Sequence, residues 1–61
     1  MKTTDYWNMI YNFAEGVVYG MTQNEINETT YHDVFELCNI HEVSTEYADD
    51  IYRVICNEWK N

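Results

Sequence analysis

Residues 5–21, DYWNMIYNFAEGVVYGM, decide how this chain can fold. On a helical repeat, Trp7, Ile10, Tyr11, Ala14, Val17, Val18 and Met21 recur at the i, i+3, i+4, i+7 spacing of one buried face. Tyr6, Met9, Ile10, Phe13 and Val17 form a second apolar row that widens that face on one side. The polar stripe, Asp5, Asn8, Asn12 and Glu15, is narrow. Such a helix needs neighbours over more than half its circumference. It is too short and too often interrupted by polar side chains to span a membrane. Gly16 and Gly20 read as a thin spot and a C-terminal stop. The alternative over GVVYG is a short strand, because Val and Tyr favour sheets.

The next segment carries the clearest start signal. Thr22 and Glu25 fit a capping box, and Met21 and Ile26 can close a hydrophobic staple around it. Ile26, Thr30, Tyr31, Val34, Leu37 and Cys38 then share one helical face, with Glu25, Glu28, His32, Glu36 and Asn39 on the other. Thr29 and Thr30 weaken the middle, and Thr30 with Asp33 can restart a helix there, so one kinked helix and two pieces are both allowed. Asn39 to Val43 is a short connection. Ser44 can cap a last helix whose buried face reads Ala48, Ile51, Tyr52, Ile55, Cys56 and Trp59. Its wet side reads Glu46, Asp49, Asp50, Arg53, Asn57 and Lys60, with Asp49 and Arg53 a favourable i, i+4 pair.

The expected fold is therefore all-α: a compact three-helix bundle with helices at about 5–20, 23–39 and 45–60, the middle one open to a break near Thr29-Thr30. Sixty-one residues make one acidic domain, near the lower limit for folding without metal or cross-links. Absent proline and only two glycines favour helices over a loop-rich scaffold. Six Tyr, two Trp and two Phe can build a core, yet so small a globule must leave some rings at its surface. That surplus makes a partner face or a homodimer plausible.

Charge bears most directly on function. Eleven Asp and Glu stand against three Lys and Arg, a formal net charge of −8. That charge keeps a chain soluble but costs self-repulsion. Nucleic acid is excluded as a direct ligand, because binding it needs Lys and Arg to displace condensed counterions. An anionic membrane surface is excluded for the same reason. The expected partner is a basic protein, and proteins that handle nucleic acid are the largest class of basic surfaces. Two Cys make no secreted framework and no signal peptide is read, so a cytoplasmic protein is expected.

No residue set amounts to an active site, and the chain is read as a non-enzyme without cofactor or metal. Cys38, His41, His32 and Cys56 match no compact zinc spacing, and both Cys lie on apolar faces. His32 and Asp33 point about 100° apart on a helix, so they cannot work as a pair. Asp49-Asp50 lacks the glycine and spaced oxygens of a calcium loop. A helix-turn-helix topology is conceivable, but residues 30–40 offer no Arg or Lys to a base or phosphate. What remains is acid: Glu25, Glu28 and Glu36, then Glu42, Glu46, Asp49 and Asp50. Carboxylates three or four residues apart on a helix sit roughly 5–6 Å from each other, comparable to successive phosphates.

Small size, strong acidity and scarce Lys and Arg together resemble the phage-encoded inhibitors of host defence, including anti-CRISPR proteins and other DNA mimics. The resemblance covers the whole chain in composition and rests on no motif. It implies tight, non-catalytic binding to a nucleic-acid-handling target such as a CRISPR effector. The acids would engage Lys and Arg there, with Tyr11, Tyr19, Phe35 or Tyr47 as aromatic anchors. The alternative expectation is a small helical adaptor or dimerising regulator that uses the excess apolar area of the first helix.

Overall fold

The computed structural model describes residues 2–61. Among them lie four α-helices and no strand: α1 (Thr4–Val18), α2 (Gln23–Glu28), α3 (Tyr31–Ile40) and α4 (Ala48–Glu58), with a 3-10 turn at Thr45–Tyr47 leading into α4. The Cα radius of gyration is 10.9 Å, close to the roughly 10.5 Å expected of a compact chain this long. The all-helical bundle expected from periodicity is the observed architecture. Its middle helix forms as two pieces.

Local signals explain each boundary. The Thr3 hydroxyl accepts from the Tyr6 amide and starts α1. The helix stops where Tyr19 turns extended and Gly20 takes φ +83°, a left-handed conformation that suits glycine. GVVYG is thus a helix end, two residues shorter than the expected stop. At Thr22 and Thr30 complete capping boxes open α2 and α3, each hydroxyl accepting from the third residue on while that residue's carboxylate accepts from the threonine amide. Two such starts eight residues apart leave no room for one continuous rod. Ser44 caps the 3-10 turn by accepting from the Glu46 amide, and α4 follows without a side-chain cap of its own.

The core consists of Ile10, Ala14 and Val18 of α1, Ile26 of α2, Val34 and Cys38 of α3, and Ala48, Ile51 and Ile55 of α4. α4 is the hub, packing against both α1 and α3. α1 buries only a narrow strip. Trp7, Met9 and Tyr11, read as members of its two apolar rows, lie exposed at the surface. α1 packs chiefly against α4, and one helical neighbour cannot cover two rows. Short α2 is tied down by its polar side chains: the Gln23 amide donates to the Trp59 carbonyl at 2.7 Å, and Asn27 Oδ1 accepts from the Asn61 amide at 2.9 Å.

One expectation is overturned here. Asp50, assigned to the wet side of the last helix, is 6% exposed. Because α4 has neighbours on two sides, its buried arc is wider than one apolar stripe. Asp50 faces the start of α1, where its Oδ2 accepts from the Lys2 ammonium and the Tyr6 hydroxyl. In the free protein it is thus occupied from within the chain rather than open to solvent.

Candidate partner-binding surface

Eleven carboxylates compete for very few cations. Lys2 is taken by Asp50, and Arg53 reaches Asp49 at 3.4 Å across one helical turn. Lys60 donates to the Tyr52 hydroxyl at 3.0 Å and stands over its ring. Removing Asp49 and Asp50 from the eleven leaves nine: Asp5, Glu15, Glu25, Glu28, Asp33, Glu36, Glu42, Glu46 and Glu58. All nine are exposed, and none has a Lys or Arg within ion-pair distance among the described residues. The negative charge is therefore carried almost wholly at the surface, unneutralised within the molecule.

Three of the nine gather at one place. The break between α2 and α3 opens a groove of about 290 Å³ lined by Met21, Glu25, Glu28, Thr29, Asp33 and Leu37. Met21 and Leu37 supply apolar contact, and the three carboxylates surround it. Glu25 Oε1 accepts from the Thr22 amide at 2.8 Å, and Asp33 Oδ2 from the Thr30 amide at 3.0 Å. Both side chains are thereby held in place, and those amide hydrogen bonds pull both carboxyls below their ordinary pKa. The Thr29 hydroxyl is buried and satisfied, donating to the Glu25 carbonyl at 2.9 Å. An open groove with an apolar floor and fixed anions suits a Lys or Arg side chain, whose stem takes the floor while its head meets the carboxylates.

The other expected site residues are spread more widely. Glu36 lies outside the groove lining and contacts His32 at 2.9 Å. Glu42 follows α3 in a left-handed conformation, φ 57°, and Glu46 lies in the 3-10 turn. Among the aromatic anchors, Tyr19 is 88% exposed, the most open large apolar side chain among the described residues. Tyr11 is exposed on α1 with its ring 5.2 Å from that of Trp59. Phe35 and Tyr47 are half-buried and pack against the core, which limits what they can offer a partner. Sequence reasoning missed Asp33 as a groove residue, although its spacing from Thr30 signalled the cap that fixes it. It also missed Trp7, Met9 and Ile40 as exposed apolar side chains.

Cys38 is buried, and burial pushes its thiol pKa up, away from the reactive thiolate. Cys56 is half-buried, and both thiols are free. Among the described residues no three of His, Cys, Asp and Glu gather into a metal-holding group. No helix among them is long and apolar enough to cross a membrane. Comparison with protein-family models, curated proteins and solved structures returned no match.

Proposed function

We propose that this protein is a non-catalytic inhibitor that occupies the nucleic-acid-binding surface of a basic host-defence protein, such as a CRISPR effector, by imitating nucleic acid. The observation that carries the proposal is the set of nine exposed carboxylates left without Lys or Arg partners, three of them lining one groove and two of those held by capping amides. A polyanion-binding channel attracts such a surface from a distance and holds it by charge-assisted hydrogen bonds. The compositional resemblance to phage-encoded DNA mimics points the same way. Its expected compartment is the host cytoplasm, which suits two free thiols.

The experiment is competition. A purified CRISPR effector or restriction nuclease is loaded with labelled nucleic acid and titrated with the protein at two salt concentrations. Displacement that weakens steeply with salt, and that is lost in Glu25→Gln/Glu28→Lys/Glu36→Lys, supports the proposal. Gln at position 25 keeps an acceptor for the capping box. Undiminished displacement by that variant would reject the proposal.

A second reading, an adaptor or homodimer built on α1, draws on the exposed Trp7, Met9 and Tyr11. Sedimentation separates the two. A tight dimer broken by Tyr11→Glu favours the adaptor, and a monomer at all concentrations disfavours it.

A further inference from the structure

Apart from the acidic groove, the surroundings of Asp50 hold one of the molecule's own cations. Asp50 is the only charged residue buried among the described residues. Its Oδ2 accepts from both the Lys2 ammonium and the Tyr6 hydroxyl. The same ammonium lies 4.9 Å from the Tyr6 ring centroid and 5.6 Å from that of Trp7. Tyr6 in turn stands edge-on to Trp7 at 5.3 Å and to Tyr47 at 5.7 Å, so the ring positions are set by packing. A buried carboxylate beside aromatic faces has the chemistry to receive a primary ammonium: the carboxylate takes an N–H and the rings attract the charge.

The parts of this seat and its occupant are held very differently. Tyr6 and Trp7 belong to α1, Tyr47 to the 3-10 turn and Asp50 to α4. Lys2 precedes the Thr3 cap, outside any helix, and its side chain is 52% exposed. Packed elements build the seat, while the cation comes from a residue ahead of the first helix.

We propose that Asp50, Tyr6 and Trp7 form a lysine-recognition seat, filled in the free protein by Lys2, and that a lysine side chain of a basic partner can take the place of Lys2. The seat stands on its own geometry; the exchange rests on the function proposed above. Exchange conserves charge, since one ammonium leaves as another enters and the buried carboxylate is never left bare. Lys2 is thus a self-blocking contact that a partner must displace.

Chemical complementation tests the seat directly. Lys2→Ala removes the occupant beyond its Cβ, and n-propylammonium chloride supplies the missing atoms. Thermal unfolding of Lys2→Ala should show a saturable rise in Tm with n-propylammonium beyond that given by sodium chloride at the same ionic strength. Wild type, whose seat is filled, should show no such excess. Nor should Lys2→Ala/Asp50→Asn, or Lys60→Ala, which removes the same charge elsewhere. Should Lys2→Ala be unfolded without ligand, n-propylammonium should restore its helical circular dichroism and sodium should not. Equal responses to the two salts, in a folded or an unfolded Lys2→Ala, overturn the seat.

The exchange has its own readout. Lys2→Ala should bind the basic partner more tightly than wild type, and Lys60→Ala should not exceed wild type by as much. Equal gains overturn the exchange. Complementation that holds while nucleic-acid competition fails would remove the proposed function and leave the seat. The reverse pattern would remove the seat and leave the function.

Discussion

Lys2 and Asp50 lie 48 positions apart in sequence and share one ion pair, so a change at either end acts on the other. Hydrogen bonds from Lys2 and then Tyr6 hold the Asp50 carboxyl below its ordinary pKa. A carboxyl depressed in the folded state contributes stability that is present at neutral pH and is lost as pH falls below the ordinary carboxylate range. Glu25 and Asp33, lowered by their capping amides, act in the same direction. The hydrogen bond to Asp50 raises the pKa of Lys2, and burial raises that of Tyr6; those contributions hold at neutral pH and fade in alkali. We therefore expect Lys2→Ala to lower Tm at neutral pH, because it strands a buried anion, and Asp50→Asn in that background to recover part of the loss. The gap between wild type and Lys2→Ala should close in acid, where a protonated Asp50 needs no counter-ion. Additive losses in the double variant, or a gap that widens in acid, would contradict this. Asp50 could not have been read correctly from the sequence, since its burial depends on α4 having a second neighbour.

At the scale of elements, the glycine inside α1 and the glycine just past its end should respond with opposite signs. Gly16 sits inside the helix with open space where a Cβ would go, so Gly16→Ala should stabilise by about 0.5–1 kcal/mol. Gly20 holds φ +83°, so Gly20→Ala should destabilise by roughly 1–2 kcal/mol despite equal space. Urea unfolding of both variants decides the matter. Thr22→Ala and Thr30→Ala each remove a hydroxyl that accepts a helix-start amide, and each should cost about 1 kcal/mol. In the core, Ile51→Ala should cost about 2–5 kcal/mol, because its side chain is fully buried. These features were largely legible beforehand. Caps are local, so Thr22 with Glu25 announced its helix start from spacing alone, while Thr30 with Asp33 allowed a second start without deciding it. The core face of α4 followed from the run Ala48, Ile51 and Ile55. The α1 surface did not, because two apolar rows look equally buried until the number of neighbours is known. The groove escaped notice for a related reason: its lining spans the end of α2 and the start of α3, and a single-helix pattern does not encode that break.

For the molecule as a whole, the excess of nine unneutralised carboxylates has two consequences of opposite sign. Repulsion among them weakens the folded state, so sodium chloride should raise the Tm of the free protein. The same screening should weaken attachment to a basic partner. A protein whose stability rises with salt while its binding falls is the expected signature; a fall in both would point to attraction inside the molecule that the ion-pair pattern does not contain. Function was the least legible level, because charge alone names a kind of partner and no motif narrows it. The structure adds places where that charge is organised, at the groove between α2 and α3 and at the Asp50 seat. The most direct measurement is displacement of labelled nucleic acid from a purified CRISPR effector or restriction nuclease across a salt series. We expect displacement at low salt, a steep loss of it as salt rises, and no displacement by Glu25→Gln/Glu28→Lys/Glu36→Lys. Displacement that ignores salt and survives those substitutions would contradict the account.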